Sequence, residues 1–403
     1  MKAIAITVLG MICFMASAQE TATTKWRGPT GDGIYHETGL LDKWPESGPT
    51  MIWHFDELGL GYSSPSFANG RIYITGMVDH TGYVFVLSES GELIDRFEYG
   101  EEFYTSYPGS RSTVTVAGEL MYIISARGGL VCMNSGNGEI RWEINLFKDF
   151  DGKNLQWGMN ETPLVDGNIL YCTPGGSRRN MVALNRFTGK LIWESRGKGN
   201  LSAYCTPLLV ELSSRKILIT HTEKNIICLD AKDGKLLWSH YHANTYAIHP
   251  NTPIYNDGSV FCFSGSGQGG VMIELNEFGN MKRVKWVDKT LDSKMGGAVL
   301  LDGYIYGSGE LNRSWKSLNW ETGEQGYSSS IVGQGVIISA DGKLYLYSQR
   351  GELVMVPVNP NEFTITGNTR VTMGSGQHWA HPVINNGRLF VRHGNVLMAY
   401  AIR

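Results

Sequence analysis

The chain repeats one short pattern along most of its length, and this repeat limits the possible folds more than any other feature. A polar turn followed by a hydrophobic strand occurs eight times, with starts 39 to 49 residues apart. Clear copies begin at Asn69, Asp166 and Asp341, and one copy has diverged at Arg215. A regular period of this length is typical of repeat architectures rather than of unrelated domains joined together.

A second element follows most of these turn-strand units: a strand, a polar turn with glycine, and another strand. Examples are 130–142, 182–193 and 226–238. A tryptophan recurs near the end of the last strand, at Trp142, Trp193, Trp238 and Trp286, where it would fill the wedge between neighbouring sheets. Each repeat thus holds about four strands. We predict an all-β fold, an eight-bladed β-propeller of four-stranded antiparallel blades.

The two ends of the chain predict how this ring closes. The last repeat stops after the strand 396–400 and lacks its fourth strand, whereas an extra strand, MIWHF at 51–55, precedes the first full repeat. We predict that this N-terminal strand completes the last blade, which leaves no long sheet edge exposed. Residues 19–403 would then be a single propeller domain, with 19–56 as entry segment and closing strand.

Composition excludes several classes of protein. With 11 Trp, 19 Tyr and 14 Phe, the chain has the aromatic residues that disordered proteins lack. Its net charge of -3 provides no basic face for nucleic acid, and no segment is long and apolar enough to span a membrane. We predict a monomer without a nucleic-acid partner or a transmembrane segment.

The N-terminus has the pattern of a secretory signal peptide over residues 1–18. Lys2 supplies the positive start, an apolar run follows, and Ala16, Ser17 and Ala18 form a small-residue cleavage site. Cleavage near Ala18 predicts a secreted or periplasmic protein. Five cysteines remain after this segment, too few and too scattered for a disulfide framework, and we interpret them as small buried apolar residues: Cys132, Cys172, Cys205, Cys228 and Cys262.

The hairpin ends at 184–193 and 229–238 resemble the repeat of pyrroloquinoline-quinone-type propellers, and the segments 25–33 and 38–49 resemble the entry segment of secreted bacterial members. This superfamily includes quinoprotein alcohol dehydrogenases. It also includes a propeller lipoprotein that assists outer-membrane β-barrel assembly and has no enzymatic activity. The resemblance therefore implies the fold and leaves the function open.

The chain departs from both branches of that superfamily. The dehydrogenases typically carry two adjacent cysteines beside the quinone, and their haem-bearing relatives carry CxxCH. Neither motif occurs here, and no calcium ligand set can be placed residue by residue. The assembly lipoprotein needs a lipidated cysteine, which the sequence also lacks.

Small ligands of propellers usually bind at the axis, where the loops entering the innermost strands crowd together. Most repeats here begin with a Ser/Thr-Pro or similar step, and bulky or polar residues stand close to it. We predict a binding site at the channel mouth from these residues: Tyr62, Arg111, Trp157, Glu161, Tyr204, His249, Asn251, Lys294, His378, Trp379 and His381. Cations, stacking rings and a carboxylate or histidine base would suit an anionic or carbohydrate-like ligand. Alternatively, these side chains only plug the axis.

The histidines provide weak evidence for a metal. His240 and His242 would share one face of an extended segment, but a metal site needs three or four converging ligands. His378 and His381 lack the helix and glutamate of a zinc protease. We predict no metal site and name no catalytic residue.

Two functions remain open. The first is a non-catalytic binding or scaffold module that uses the channel mouth or the broad face, without a cofactor, for a protein or glycan partner. The alternative is a quinone-dependent alcohol or polyol dehydrogenase, with pyrroloquinoline quinone and calcium on the propeller axis.

Overall fold

Residues 23–403 are described by the computed structural model, and they form the predicted eight antiparallel sheets. Two strands precede the first blade: β1 (Ile34–Tyr35) and β2 (Met51–Phe55). Blade 1 contains β3 (Ser66–Ala68), β4 (Arg71–Val78), β5 (Thr81–Ser88) and β6 (Leu93–Glu101). Blade 2 contains β7 (Thr115–Ala117), β8 (Leu120–Ile124), β9 (Gly129–Asn134) and β10 (Ile140–Asn145), followed by the one-turn helix α1 (Leu146–Asp149).

The next three blades have the same order of strands along the chain. Blade 3 contains β11 (Leu164–Asp166), β12 (Ile169–Cys172), β13 (Met181–Asn185) and β14 (Leu191–Ser195). Blade 4 contains β15 (Leu208–Glu211), β16 (Lys216–His221), β17 (Asn225–Asp230) and β18 (Leu236–Tyr241). Blade 5 contains β19 (Ile254–Asn256), β20 (Ser259–Ser264), β21 (Gly269–Leu275) and β22 (Met281–Asp288).

The last three blades complete the ring. Blade 6 contains β23 (Ala298–Leu301), β24 (Tyr304–Ser308), β25 (Trp315–Asn319) and β26 (Gln325–Ser329). Blade 7 contains β27 (Gly335–Ala340), β28 (Lys343–Ser348), β29 (Glu352–Pro357) and β30 (Gly367–Arg370). Blade 8 contains β31 (Val383–Asn385), β32 (Arg388–His393) and β33 (Val396–Ala401), with β2 as its fourth strand. The predicted fold class is confirmed.

Turn chemistry explains why each blade folds as a meander. In the turn between β3 and β4, Asn69 and Gly70 both have positive φ, at 54° and 68°. Asp341 and Gly342 repeat this at the start of β28, at 49° and 69°. Two consecutive positive φ angles are what a tight two-residue hairpin requires, and Asn-Gly and Asp-Gly adopt them at low cost. The same pair of positive φ angles recurs at Asp257–Gly258, Asp302–Gly303 and Asn386–Gly387, so this turn sets the first hairpin of five of the eight blades in the described chain.

The N-terminal strand closes the ring as predicted. β2 pairs antiparallel with β33, with Met51 opposite Tyr400 and Phe55 opposite Leu397. Trp53 also packs on Phe390 of β32, the next strand beyond β33 in the same sheet, with ring centroids 5.8 Å apart. The last blade is therefore built from both ends of the described chain, and β33 has no free outer edge.

A row of tryptophans joins consecutive blades. Each indole N–H donates to a backbone carbonyl of the next blade, at N···O distances of 2.8 to 3.1 Å. The pairs are Trp142 with Arg186, Trp193 with Ala231, Trp238 with Gly279, Trp286 with Trp320 and Trp53 with Glu89. The predicted wedge role is confirmed for the four repeat tryptophans. Trp53 extends the row across the ring closure.

Truncating one of these tryptophans tests the blade junctions. Trp193 is buried against Tyr171 and donates to Ala231 across the junction of blades 3 and 4. We expect Trp193→Ala to lower the free energy of unfolding by about 3 to 5 kcal/mol. Trp193→Phe should lower it less, because the ring volume is mostly kept while the N–H donor is lost. Urea unfolding of the three proteins measures this, and equal losses for Ala and Phe would contradict the wedge role.

An entry segment crosses the hub before the first blade begins. Thr24 donates its N–H to Val116 of blade 2 at 2.9 Å, and Arg27 donates to the carbonyl of Ala298 in blade 6 at 2.8 Å. β1 then pairs in parallel with β27 of blade 7, which becomes a five-stranded sheet. This segment therefore ties one side of the ring to the other, a course that the sequence did not predict.

The core lies between adjacent blades, where apolar faces of neighbouring sheets pack together. The five cysteines after residue 22 are all buried and free, which confirms their interpretation as small core residues. Within residues 23–403, no helix has the length and apolar character that crossing a membrane requires. The predicted signal peptide over residues 1–18 lies outside the described residues.

Candidate functional site

A pocket opens on one face of the ring, around the loops that lead into the innermost strands. Its volume is about 1100 Å³, including the part open to solvent. The opposite face has a second cavity, lined by residues from the turns after those strands, such as Asn69, Gly118 and Asn385. Trp26 of the entry segment lines both. We call the first space the channel-mouth pocket, and Trp26 forms its floor.

The recurring Ser/Thr step has a structural role at this hub. At three of these steps, a threonine hydroxyl accepts the backbone N–H of the step in the preceding blade. This holds for Ser64 N with Thr113 Oγ1 (3.1 Å), Thr113 N with Thr162 Oγ1 (3.3 Å) and Thr162 N with Thr206 Oγ1 (3.1 Å). The following proline cannot donate an N–H. These bonds hold the entry loops together, and the loops position the pocket's side chains.

Seven of the eleven predicted site residues line the pocket. They are Tyr62, Arg111, Trp157, Tyr204, Lys294, Trp379 and His381. Sequence reasoning missed eight others: Trp26, Tyr107, Asn160, Thr162, Thr206, Ile248, Pro250 and Met295. The resemblance of 25–33 to a known entry segment was the one pattern that pointed toward Trp26.

The other four predicted residues lie behind the pocket wall. Glu161 is fully buried and accepts the N–H of Thr173 at 2.9 Å. Buried Asn251 donates to the carbonyl of Ser293, and buried His249 contacts the carbonyl of Glu223. His378 lines a smaller neighbouring cavity and stacks on His393, with ring centroids 3.7 Å apart.

Alternation explains part of this division. Asn160 and Thr162 line the pocket, whereas Glu161 between them does not. Ile248 and Pro250 likewise line it, whereas His249 points away. Successive side chains of an extended segment point to opposite sides. The sequence analysis located these loops correctly. For Glu161 and His249, however, it assigned to the pocket side chains that point away from it.

Aromatic rings form much of the wall. Trp379 packs between Tyr62 and Tyr107, with ring centroids 5.1 and 4.9 Å apart. Trp157 and Tyr204 line the pocket from blades 3 and 4, and the Tyr204 hydroxyl accepts the N–H of Trp157 at 3.4 Å. Flat rings on several sides of a cavity suit a ligand that is itself planar or has an apolar ring face.

Arg111 is held by its own loop. Its Nη1 donates to the carbonyl of Gly109 at 2.6 Å and its Nη2 to that of Tyr107 at 2.8 Å. The guanidinium also lies near the rings of Phe103 and Tyr62. Its fork is therefore largely used on backbone carbonyls, while its positive charge remains in the wall.

Lys294 and His381 complete the polar part of the pocket. The Lys294 ammonium lies 3.6 Å from Glu310 and 5.4 Å from the centroid of Tyr246. His381 is buried, and its Nε2 lies 2.9 Å from the carbonyl of Met295. Burial, with help from the charge of Arg27, lowers the pKa of His381 to about 3. A neutral imidazole with so low a pKa is a weak base at neutral pH.

Two buried carboxyl groups lie close behind the pocket. Burial raises the pKa of Glu161 to about 8, against opposing bonds from Thr173. Burial also raises the pKa of Glu102 to about 7, although it accepts bonds from Tyr99 (2.5 Å) and Ala126 (2.9 Å). Neither residue lines the pocket, so neither is placed to take a proton from a bound ligand.

Three buried histidines cluster behind Ile248 and Pro250. The rings of His221, His242 and His249 lie 5.3 to 6.0 Å apart, centroid to centroid. Within the described part of the chain, neither ring nitrogen of His221 has a hydrogen-bond partner. No three His, Cys, Asp or Glu side chains of the described chain are arranged to hold a metal ion. His240, also considered for a metal, is only partly buried.

The pocket does not fit a quinone with its calcium ion. Calcium takes six to eight oxygen ligands and relies on carboxylates. None of the fifteen lining residues, all within residues 23–403, is Asp or Glu. The nearby carboxyl groups of Glu102 and Glu161 are already bonded to blade backbone. The neutral oxygens of Asn160, Thr162 and Thr206 are a poor substitute for a carboxylate set.

A comparison with protein families gives the chain its relatives. The family model described as outer membrane protein assembly factor BamB matches residues 80–317, more than half of the 403 residues. The chain belongs to this BamB family. Its fold and repeats also place it among the pyrroloquinoline-quinone-like propellers, as the resemblance in the sequence implied.

Curated relatives of this BamB-family chain include quinoproteins. The quinoprotein alcohol dehydrogenase PedH of Pseudomonas putida is 24% identical over 184 residues, 43% of this chain and 30% of that protein. The dehydrogenase subunit of a quinone alcohol dehydrogenase from Gluconobacter oxydans is 28% identical over 152 residues, 34% of this chain and 19% of that protein. The chain thus matches less than a third of the length of these relatives.

Solved structures share the fold with this BamB-family propeller. BamB from Moraxella catarrhalis superposes with a TM-score of 0.64 at 14% identity, over 88% of this chain and 99% of that one. Quinohemoprotein alcohol dehydrogenase from Comamonas testosteroni superposes with a TM-score of 0.68 at 11% identity, over 93% and 79%. At these identities the likeness shows the fold alone, and function has to be argued from the pocket.

Proposed function

We propose that this protein is a non-catalytic binding propeller whose channel-mouth pocket captures a small ring-bearing molecule or the ring of a sugar. The observation that carries this proposal is the composition of the wall. Among residues 23–403, six aromatic side chains and no carboxylate line the pocket: Trp26, Tyr62, Tyr107, Trp157, Tyr204 and Trp379. Such a wall offers stacking surfaces without a base or a metal-binding set.

The alternative, a quinone-dependent alcohol dehydrogenase, draws support from the curated relatives. It would need a metal-bound quinone and a base beside the substrate. The lining residues do not fit the metal, and the one lining histidine, His381, is held on the carbonyl of Met295. The binding function therefore has the stronger support from the site.

We also propose that residues 19–403 act as one propeller domain outside the cytoplasm, secreted or periplasmic. This rests on the cleavage pattern near Ala18 and on the membership of the BamB family. A protein or glycan partner at the broad face, and a monomeric state, remain predictions. Fractionation of cells that produce the tagged full chain tests the location, and a tag retained with cytoplasmic markers would contradict it.

Binding is tested with aromatic fragments and short oligosaccharides, measured by calorimetry on the full propeller. We expect Trp379→Ala to weaken any pocket ligand about tenfold, because a ring contact contributes about 0.5 to 1.5 kcal/mol beyond the area it buries. Tyr241→Ala is the matched control, since Tyr241 is an exposed aromatic on outer strand β18. Ligands that bind the Trp379 variant as well as the wild type would contradict the pocket as the site.

A separate assay addresses the alternative. The protein is incubated with pyrroloquinoline quinone and calcium, and dye-linked oxidation of primary alcohols and polyols is followed. We expect rates equal to those of heat-inactivated protein. Turnover that depends on both the quinone and calcium would overturn the non-catalytic proposal.

A further inference from the structure

Among residues 23–403, three arginines without an ion-pair partner lie in or close behind the wall of the channel-mouth pocket: Arg111 lines it, Arg392 lies behind it, and Arg27 lines the cavity on the other side of Trp26. Arg27 and Arg392 are almost completely buried, at 2% and 1% exposure, and Arg111 lies in the wall. The ion pairs of the described residues include none of the three. A buried charge is usually paired, because leaving water is costly. Three arginines without an ion pair in or close behind one wall therefore call for an explanation.

The guanidinium groups bond to oxygens of the blades instead. Arg27 donates to the carbonyl of Ala298 at 2.8 Å, and its Nε has no partner. Arg392 donates to Ser63 Oγ at 2.7 Å and to the carbonyl of Thr75 at 2.6 Å, and its Nη2 has no partner. These bonds join blades and orient the arginines. They place no carboxylate within ion-pair distance of these guanidinium groups among the described residues, although Asp32 offsets part of the charge of Arg27.

All three charges lie close to the pocket. Arg27 follows Trp26, and its guanidinium carbon lies 5.9 Å from that ring on the floor. Arg392 bonds to Ser63, the neighbour of Tyr62 in the wall. Burial lowers the pKa of Arg27 to about 10 and that of Arg392 to about 9. Both therefore stay charged at neutral pH.

Nearby negative groups offset only part of this charge. Glu310 lies beside Lys294, at 3.6 Å, so that pair is close to neutral. Glu102 is the carboxyl group that interacts most strongly with Arg111, and burial raises its pKa to about 7, so it is partly protonated at neutral pH. The field of the remaining positive charge reaches the cavities on both sides of Trp26, and Arg111 brings it directly into the wall of the channel-mouth pocket.

We propose that the ligand of the channel-mouth pocket is an anion, a ring bearing a carboxylate or a comparable negative group, attracted by Arg27, Arg111 and Arg392. This proposal rests on the proposed binding function and narrows its ligand class. The aromatic wall holds the ring, and Lys294 lines the pocket as an N–H donor for the acid group, although its charge is shared with Glu310. The ring acid has two sources, an aromatic acid or an acidic sugar.

Matched pairs of probes test the charge. 2-Naphthoate and 2-naphthamide have the same ring and differ in charge, as do trigalacturonate and maltotriose among sugars. We expect calorimetry in 20 mM salt to show at least about tenfold tighter binding of the acid in one pair, falling several-fold in 300 mM salt, where charges are screened over a shorter distance. The pair that shows this difference identifies the source of the ring.

Variants at Arg111 separate charge from structure. Arg111→Lys and Arg111→Gln both lose the bidentate bonds to Gly109 and Tyr107, and only Gln also loses the charge. We expect Arg111→Gln to weaken binding of the acid probe about fivefold more than Arg111→Lys does. Both variants should weaken binding of the neutral probe equally. Lys190→Gln is the control for net charge, because Lys190 is exposed in the turn between β13 and β14. Melting curves verify that each variant is folded.

The outcomes are distinct. If neither member of either pair binds at millimolar concentration, the proposed function fails and this inference with it. If acid and neutral probes bind alike, or if Lys and Gln weaken the acid equally, the binding function stands and the anion is overturned. If the acid probe binds more tightly, and if this preference depends on the salt concentration and on the charge at position 111, both the binding function and the anionic ligand are supported.

Discussion

Replacement of Thr50–Phe55 by a twelve-residue Gly/Ser linker is expected to abolish the folded propeller. The change removes the ladder between β2 and β33 and the ring contacts of Trp53 with Phe390 and of Phe55 with Phe85. By the scale of core truncations, losing two large aromatic contacts and a strand should lower the free energy of unfolding by about 5 kcal/mol or more. This is about the net stability of many domains. Solubility, gel filtration and thermal melting measure the effect.

A rescue variant is the matched control. It keeps the linker and carries residues 50–55 after Arg403, joined by a short turn. Since β33 ends at Ala401 and β2 pairs with it antiparallel, the moved strand would form an ordinary hairpin with its partner. We expect this variant to recover much of the native melting temperature. A linker variant that melts like the wild type would show that closure by β2 is not needed.

The stability of the propeller is expected to peak near pH 6.5 and to fall steeply in acid. Burial lowers the pKa of His242 to about 3, of His249 to about 4 and of His381 to about 3, and that of His221 well below its ordinary value. These histidines are neutral when folded and take up protons on unfolding below pH 6.5. Each therefore removes up to about 1.4 kcal/mol of stability per pH unit as the pH falls toward its folded value.

The two buried carboxyl groups act in the opposite direction. The pKa values of Glu161 and Glu102 are raised to about 8 and about 7, so folding keeps them protonated. Their contribution is complete below about pH 4.5 and is lost as the pH rises toward those values. Burial also lowers the pKa of His378 to about 4 and that of His240 below its ordinary value. Between pH 4.5 and 6.5 these six histidines oppose the two carboxyl groups, so stability still rises with pH. Between pH 6.5 and 8 the two carboxyl groups determine the slope, and stability declines. Above about pH 8 the buried cysteines, whose pKa values are also raised by burial, add to this decline.

Single substitutions show which groups cause the rise of stability below pH 6.5 and which cause its decline above pH 6.5. His221→Phe should reduce proton uptake on unfolding by about one proton between pH 4.5 and 6, because neither ring nitrogen of His221 has a partner to lose. Glu161→Gln keeps an acceptor for Thr173 and should flatten the limb above pH 6.5. Exposed His36→Gln is the control and should leave the profile unchanged. Urea unfolding from pH 4.5 to 9 gives the slopes. A wild-type profile that is flat across this range would contradict the assignment.

The sequence predicted the ring more fully than the pocket, for a physical reason. Asn-Gly and Asp-Gly turns and recurring tryptophans act locally, so the repeat shows them directly, and the unmatched strand 51–55 revealed the closure. The pocket depends on which of two alternating side chains faces the axis. A shift by one residue exchanges Glu161 for Thr162 and His249 for Pro250. No local pattern in these loops fixes that choice.

Features that depend on contacts between residues far apart in the chain could not be predicted from the sequence either. Trp26 becomes the floor of the pocket because Thr24 is bonded to blade 2 and Arg27 to blade 6, residues far apart in the chain. Likewise, Arg392 of blade 8 is buried at the junction with blade 1, where it donates to Ser63 and Thr75 near the start of the chain. Such contacts follow from the closed architecture and become visible only once blades 1 and 8 meet.

The course of the entry segment has a consequence for how the protein is made. Residues near Arg27, β1 and β2 are synthesised early, yet their partners lie in blades 6, 7 and 8, at the end of the chain. During translation the apolar side chains of these early residues have no partner until blades 6, 7 and 8 have been synthesised. We therefore expect assembly to be slow, because these contacts join residues far apart in the chain. We also expect the growing chain to be prone to aggregation until blade 8 is complete.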